Sequence, residues 1–129
     1  SLGIINVHPG ILPKYRGSSC VEWAILNSEP VGNTAHFMTS EYDQGPIIES
    51  EIYSIAETDS YQDIRNKVVL GWTHLMSRVI AKMIMCPLNF QYFEYEPNAN
   101  IFPPIPEEKM NEVLEKISSG EYAKDLKYK

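Results

Sequence analysis

The chain has 129 residues, 43% of them hydrophobic, which is enough for one domain with its own core and too few to expect two. Its 17 acidic and 11 basic residues give a formal net charge of -6, which repels a phosphate backbone and argues against autonomous nucleic-acid binding. The two cysteines form no CxxC pair, so neither a disulfide framework nor a zinc site is indicated.

No targeting or membrane segment is evident in the sequence. No apolar run approaches the ~20 residues that a membrane-spanning helix needs, and the first residues lack the basic region of a signal peptide. These features, with unpaired cysteines, predict a cytoplasmic protein that has no membrane partner. The chain opens on Ser1 and enters an apolar segment at once, which indicates a piece of a longer polypeptide.

Three short apolar segments are predicted to be strands. They run from Leu2 to Val7, from Asn33 to Thr39 and from Pro46 to Ile55, and the first suits a buried strand of a parallel sheet. Because of its prolines and glycines, the stretch from His8 to Ser19 is predicted to be a loop, and a turn is predicted at Glu41 to Gly45.

Three helices are predicted from apolar spacing and capping residues. They run from Val21 to Leu26, from Tyr61 to Met85 and from Glu107 to Ile117. Ser18 or Ser19 caps the first helix, Asp59 or Ser60 caps the second, and Pro87 ends the second.

The remaining carboxyl-terminal segments are less regular. Phe90 to Tyr95 is predicted to be a strand or hairpin arm, and Phe102 to Pro106 to be irregular, before a last helix that stops near Gly120. The whole pattern predicts an α/β fold with a mostly parallel sheet flanked by helices, of which about half of a doubly wound domain is present.

Two polar residues stand where open α/β sheets bind their ligands, at the carboxyl end of the first predicted strand. These are Asn6 and His8, and residues two apart in an extended strand have side chains on one face. By spacing alone, such a pair is also compatible with ordinary turn chemistry.

The residues that follow Asn6 and His8 complete a longer motif, which is far more specific than the two residues alone. The run from Asn6 to Gly17 reads Asn-Val-His-Pro-Gly-Ile-Leu-Pro-Lys-Tyr-Arg-Gly. It closely resembles the signature of the folate-dependent formyltransferase family, usually Asn-Xaa-His-Pro-Ser-Leu-Leu-Pro-Xaa-Tyr-Xaa-Gly, with Gly10 in place of the serine. A second matching block covers 34–38 and 43–48, and the resemblance extends over roughly residues 3–83 and weakens beyond Pro87.

This family includes glycinamide ribonucleotide, methionyl-tRNA and sugar-nucleotide formyltransferases and formyltetrahydrofolate hydrolase. The resemblance implies that residues 1–129 are the carboxyl-terminal half of a Rossmann-like formyltransferase domain, with 87–129 as a divergent extension of the same domain. It also implies the co-substrate 10-formyltetrahydrofolate and the catalytic residues Asn6, His8 and Asp43.

Formyl chemistry explains why these three residue types are needed. An amine that attacks the formyl carbon creates a tetrahedral centre whose oxygen gains negative charge, which the Asn6 amide and a His8 imidazolium can stabilise. A carboxylate beside the imidazole favours its charged form, so Asp43 is expected to keep His8 protonated near neutral pH. Asp43 can also accept the proton that the amine sheds. No metal is required.

Further residues receive supporting roles from the resemblance or from their chemistry. His36 either supports Asp43 or is a structural histidine, and His74 is predicted to be a partly exposed helix residue. A predicted folate-binding turn consists of Ser40, Glu41, Tyr42, Asp43 and Gly45, whose backbone groups suit the amide-like pterin ring.

The loop after the first strand is the predicted substrate loop. Its assigned residues are Pro9, Gly10, Lys14 and Arg16. Its two cations either meet anionic substrate groups or are simply solvated. A cis peptide bond is expected before Pro13.

Aromatic residues cluster late in the chain, at Phe90, Tyr92, Phe93, Tyr95 and Phe102. They can stack on bases or pack in a core or subunit interface, and the acidic charge favours packing.

The acceptor is predicted to be a sugar-nucleotide or other small amine. The segment from Glu22 to Glu29 resembles the sugar-nucleotide and transfer-RNA branches, whereas Gly71 to His74 departs from the Glu-His pair of glycinamide ribonucleotide enzymes. Methionyl-tRNA would demand a basic surface. Hydrolysis by water and a non-catalytic binding module are two further possible functions, and an incomplete sheet predicts a homo-oligomer or a complementary amino-terminal segment.

Overall fold

A computed structural model describes residues 3–40, 43, 45–95 and 100–128. Its strands are β1 (Ile5–His8), β2 (Arg16–Gly17), β3 (Gly32–Phe37), β4 (Ile47–Ile52) and β5 (Ile101–Phe102). Its helices are α1 (Cys20–Leu26), α2 (Tyr61–Met85), α3 (Glu107–Ser118) and α4 (Glu121–Tyr128), with one 3-10 turn at Pro87–Asn89.

The main sheet has three strands in the order β1-β3-β4, and α2 packs across all three. The apolar layer between the sheet and α2 consists of Val7, Ala35, Ile48, Leu75 and Val79. Since neighbouring residues of a strand point to opposite faces, Asn6 and His8 on either side of Val7 lie on the face away from α2. The core thus fixes which face carries the polar residues.

The predicted α/β class is confirmed, but the prediction of a mostly parallel sheet is wrong for the described strands. β3 runs antiparallel to both β1 and β4, and the parallel pair is the short one between β2 and β5. The reason lies in β3, which is buried on both faces over Gly32 to His36. A strand buried on both faces loses the alternating pattern that would otherwise suggest an antiparallel sheet.

Helix α2 has the predicted bounds. Ser60 accepts a hydrogen bond from the Asp63 N–H at 3.0 Å, and Asp63 Oδ2 accepts one from the Ser60 N–H at 2.8 Å, which together form a capping box. The helix buries Ile64, Val68, Gly71, Leu75 and Val79, whose spacing of three or four residues forms one face.

In one respect α2 departs from expectation. By length and composition alone it is apolar enough to cross a membrane, although no such segment was predicted. Core helices meet the same criterion, and one face of α2 does pack on the sheet, so this is weak evidence for a membrane span.

The carboxyl-terminal helices build a second core with α1. Its buried members include Val21 and Ile25 of α1, Val113 and Ile117 of α3, and Tyr122 of α4. Helix α4 was not predicted. Gly120, at φ 78°, ends α3 as expected, but the chain then resumes a helix in a new direction.

Two local predictions need correction. Ser19 precedes α1 in a left-handed conformation and makes no side-chain cap; its Oγ accepts the Ile105 N–H at 3.0 Å instead. The segment predicted as a strand at Phe90 to Tyr95 forms a single antiparallel bridge between Phe93 and Ile47.

Candidate active site

His8 ends β1 and is almost fully buried, with 5% of its surface exposed. Its Nε2 lies 2.6 Å from the carbonyl oxygen of Tyr15, and its Nδ1 lies 3.3 Å from Oδ1 of Asp43. Both ring nitrogens are therefore engaged, and the predicted partnership between His8 and Asp43 is present in the structure.

The loop from 9 to 17 brings the Tyr15 carbonyl back to His8. Thr34, opposite His8 in the sheet, donates from Oγ1 to the Gly10 carbonyl at 2.7 Å and accepts from the Leu12 N–H at 3.1 Å. The peptide bond between Leu12 and Pro13 is cis, as predicted. A single buried hydroxyl on β3 thus holds the first half of the loop against the strand end.

Asp43 is held by three different parts of the chain. Its Oδ1 contacts His8, its Oδ2 accepts the Gly17 N–H at 3.0 Å, and its backbone carbonyl accepts the Tyr95 hydroxyl at 2.7 Å. Its backbone has φ 52°, in the left-handed region. The carboxylate is thereby fixed against the imidazole.

The protons of this pair follow from its partners. A carbonyl accepts but cannot donate, so Nε2 of His8 must carry the proton that binds Tyr15. Nδ1 then faces Asp43 either with a second proton, as imidazolium, or with a lone pair. Burial, the largest effect, lowers the pKa of His8 below 6.5, while the Asp43 carboxylate and the Tyr15 carbonyl raise it and His36 lowers it.

The lowered pKa runs against the expectation that Asp43 keeps His8 protonated near neutral pH, because burial outweighs the attraction of the carboxylate. A neutral His8 with its proton on Nε2 directs a basic Nδ1 towards Asp43. This arrangement favours proton acceptance over the predicted donation to an oxyanion, since the only ring proton is already bound by the Tyr15 carbonyl.

His36 reaches the site through Asn6 and not through Asp43. The two residues are directly paired across β1 and β3, and Nδ2 of Asn6 lies 3.4 Å from Nε2 of His36. The other nitrogen, Nδ1, lies 3.1 Å from the Phe37 carbonyl, so it carries the proton and leaves Nε2 as an acceptor. His36 orients the Asn6 amide, and the suggested support for Asp43 is replaced by this contact.

The predicted folate-binding turn is described in part. Ser40 is exposed, whereas Glu41 and Tyr42 lie outside the described residues. Gly45 is buried, and a Cβ there would lie 1.3 Å from the carbonyl oxygen of Phe37. The backbone at Gly45 thus packs directly on the end of β3, an approach that only glycine allows.

The two basic residues of the predicted substrate loop, Lys14 and Arg16, were expected either to meet anionic substrate groups or to be solvated, and each has a different environment in the structure. Lys14 is exposed and forms an ion pair with Glu29, whereas Arg16 is 2% exposed and lies within β2. Pro9 is exposed and Gly10 is buried. Arg16 is therefore not a solvated loop residue, and Lys14 already has an anionic partner.

Three contributors to the site were missed by sequence reasoning. Tyr15 and Gly17 act through backbone groups, which their side-chain identities do not reveal. Tyr95 belongs to the aromatic cluster, of which Phe90 and Phe102 pack against the two cores, whereas Tyr92 and Phe93 are exposed. His74 is exposed on α2, as predicted.

Comparison with known proteins identifies the class. Residues 1–80 match the sequence model of the formyl transferase family, and the chain belongs to this family. The chain spans about a quarter of the length of the curated relatives that it matches.

Individual relatives differ in acceptor. A methionyl-tRNA formyltransferase of Borrelia hermsii (strain HS1 / DAH) is 39% identical over 83 residues, which are 64% of this chain and 27% of that protein. Among solved structures, the N-formyltransferase of Helicobacter canadensis in complex with folinic acid and dTDP-3-aminofucose superposes with a TM-score of 0.63 at 25% identity, covering 82% of this chain and 38% of that one. Phosphoribosylglycinamide formyltransferase of Bacillus halodurans gives 0.59 at 32% identity, covering 68% and 47%.

Proposed function

We propose that this chain carries the reaction centre of an enzyme that transfers a formyl group from 10-formyltetrahydrofolate to an amine. The observation that carries the proposal is the buried His8 ring held between the Asp43 carboxylate and the Tyr15 carbonyl, with Asn6 on the same face of the sheet. Family membership gives this arrangement its chemical context.

The proposed reaction divides the work among the three residues. The acceptor nitrogen forms a bond to the formyl carbon with its lone pair, and the electron pair of the carbonyl moves onto oxygen. An N–H of Asn6 stabilises that oxygen. When the carbonyl re-forms, the bond from the formyl carbon to N10 of the folate breaks, and its electron pair stays on N10.

One proton must also move in each turnover. The attacking amine becomes positively charged and loses a proton to the pair formed by His8 and Asp43, and the same pair returns a proton to N10 as it leaves. The lowered pKa of His8 fits this shuttle, because a neutral imidazole beside a carboxylate can take up one proton and release it again.

We propose the turn around Ser40, Glu41, Tyr42, Asp43 and Gly45 as the folate contact. The turn follows β3 after two intervening residues and contains Asp43, so a pterin on its backbone groups would present N10 next to the proton shuttle. The tight packing of Gly45 on β3 supports the proposal, because it fixes the position of Gly45 relative to the sheet.

For the acceptor we favour a sugar-nucleotide amine. The superposed Helicobacter canadensis enzyme has dTDP-3-aminofucose and folinic acid in its complex. The charge of the chain supports the choice, since the formal net charge is -6 and the two cations of the substrate loop are either ion-paired or buried. A long phosphate backbone finds little to bind on such a loop.

Methionyl-tRNA is the second candidate. Its support is specific, because the relative from Borrelia hermsii is a methionyl-tRNA formyltransferase that is 39% identical over the matched residues. In such an enzyme a basic surface would have to come from parts of the molecule other than loop 9–17.

A direct assay separates these possibilities. The full native polypeptide is incubated with 10-formyltetrahydrofolate and, in turn, with an amino-sugar nucleotide, glycinamide ribonucleotide, methionyl-tRNA or no acceptor. Formylation of the amino sugar supports the proposed acceptor. Formylation of a different amine instead would identify that amine as the acceptor. Steady formate release without an acceptor identifies a hydrolase, and failure of all four reactions, with no folate binding, removes the proposed function.

The sheet itself points to a partner. Among the described strands β1 pairs on one side only, with β3, so its other edge has no strand neighbour, although the Val7 carbonyl accepts the Trp72 indole N–H at 2.9 Å. We propose that a further strand adds there, from a second copy or from a complementary amino-terminal segment. Light scattering of the purified 129-residue chain tests this: a monomer whose β1 amides exchange slowly with solvent would contradict an open edge.

A further inference from the structure

The segment after α2 lies outside the family-matched residues 1–80, yet it reaches the reaction centre. Phe93 and Ile47 exchange two backbone hydrogen bonds, of 2.8 and 2.6 Å, which fasten this segment antiparallel to the start of β4. Two residues further on, Tyr95 comes level with the turn that precedes β4. Its hydroxyl donates to the Asp43 carbonyl at 2.7 Å.

A second part of the segment reaches Asp43 through β2. β5 pairs with β2 in parallel, and the Ser18 N–H donates to the Phe102 carbonyl at 2.9 Å. Gly17, the second residue of β2, donates its N–H to Oδ2 of Asp43. Gly17 has φ 98°, and a Cβ there would lie 2.4 Å from the Phe102 carbonyl oxygen, so glycine is what lets β5 approach this closely.

The backbone of Asp43 has such support. A left-handed conformation is uncommon for a residue with a side chain, although aspartate adopts it more readily than most, and surrounding contacts help to determine it. The Tyr95 hydroxyl holds the main chain of Asp43, and Gly17 holds one oxygen of its carboxylate. The remaining oxygen is thereby directed at Nδ1 of His8.

We infer that Tyr95, together with β5, is a positioning element for Asp43, and that the carboxyl-terminal segment outside the family-matched region sets the geometry of the proton shuttle. This inference deepens the proposed function and rests on it for its catalytic consequence. Tyr95 touches none of the reacting groups itself, so it acts only through Asp43. Burial raises the pKa of the Tyr95 hydroxyl, which keeps it a donor across the neutral pH range.

Tyr95→Phe in the full native polypeptide tests the inference, because it removes one hydroxyl and leaves the ring. We expect kcat to fall ~10-fold with little change in the KM for folate, since an orienting contact is lost and no substrate contact. The titration of the His8 ring, followed by NMR, should move to lower pH as the Asp43 carboxylate loses its fixed distance to Nδ1.

Tyr92→Phe is the matched control. Tyr92 is three residues away and half exposed, and its ring meets the edge of Phe37 at 5.6 Å, so its hydroxyl should be dispensable. If Tyr95→Phe leaves both kcat and the His8 titration as in the native protein, the inference is wrong. The NMR measurement needs no formyl transfer, so a shifted titration in a protein without such activity would retain the positioning role while removing the proposed function.

Discussion

Asn6 and His36 face each other directly across β1 and β3, with Nδ2 of Asn6 3.4 Å from Nε2 of His36. Because Nδ1 of His36 is bound by the Phe37 carbonyl, Nε2 is left as the acceptor that turns one Asn6 N–H towards β3. The second N–H and the carbonyl of Asn6 are thereby fixed in direction, which is what a preorganised oxyanion donor needs.

His36→Leu should therefore lower the rate of formyl transfer by ~10-fold without abolishing it, through loss of the Asn6 orientation. His36→Gln keeps a side-chain acceptor and should recover part of the loss. Measurement of kcat for both variants, beside their unfolding transitions, checks the idea. If kcat falls equally in the two variants, and in proportion to their loss of stability, then His36 has a structural role only.

Substitution of His8 or Asp43 should have the largest effect on the rate of formyl transfer. His8→Ala and Asp43→Asn should each lower kcat/KM by ~100-fold or more, because each removes one half of the proton shuttle. The control is His74→Ala, which changes an exposed histidine of α2. Rates within a factor of two of the native protein for either site variant would contradict the assignment, and additive losses in the double variant would show that the two do not act as a unit.

The pKa of His8 makes a prediction about pH. Burial lowers it below 6.5, so we expect the NMR titration of this ring to have its midpoint below 6.5 and the rate to be level at higher pH. In Asp43→Asn the midpoint should fall further, since the carboxylate is the largest influence that raises it. A midpoint above 6.5 would contradict the lowered pKa, and one above neutral pH would restore the imidazolium as the main form of His8 there.

The same shift has a consequence for stability. His8 binds a proton less readily in the folded chain than in the unfolded one, so its neutral form contributes fully above pH 6.5. As the pH falls through 6.5 towards the lower folded pKa, the unfolded state takes up the proton first and the folded state loses stability. Comparison of the native protein with His8→Gln by denaturant unfolding at several pH values measures this, because the variant should lack the dependence.

Much of the fold could be predicted from local sequence patterns. The spacing of Ile64 and Val68 and the capping residue Ser60 define α2 to its ends, since these signals act within a few residues. The antiparallel direction of β3 relative to β1 and β4 could not be predicted, because it depends on which strands pair with β3 in the folded chain. Asn6, His8 and Asp43 were predicted from family motifs. Tyr15 and Gly17 were not, because they contribute backbone groups. Tyr95 was not either, because it lies 52 positions along the chain from Asp43, which it contacts.

The cap of α2 offers a test of fold stability that does not touch the site. Ser60→Ala removes the side-chain acceptor of the capping box and should lower the free energy of unfolding by about 1 kcal/mol, or the Tm by roughly 3–6 °C. Ser77→Ala, on the exposed side of the same helix, is the control and should be as stable as the native protein or slightly more so, because alanine is the better helix former. A Ser60→Ala variant as stable as this control would mean that the cap is not formed in solution.

Gly10 stands where the family signature has serine, and the structure gives this difference a physical meaning. A Cβ at this position would lie 2.9 Å from Nε2 of His8, 2.8 Å from the Tyr15 carbonyl oxygen and 2.9 Å from Cβ of Cys20. Glycine therefore permits the 2.6 Å hydrogen bond between His8 and the Tyr15 carbonyl.

Gly10→Ala and Gly10→Ser should both push His8 away from that carbonyl and lower kcat ~10-fold, with His8 titrating at still lower pH, because the Tyr15 carbonyl raises the pKa of His8. The control is Pro9→Ala, next in sequence but exposed. If Gly10→Ser instead keeps full activity and an unchanged His8 titration, the loop yields readily at this point. The close contact between His8 and Tyr15 would then be one conformation among several and not a requirement of the site.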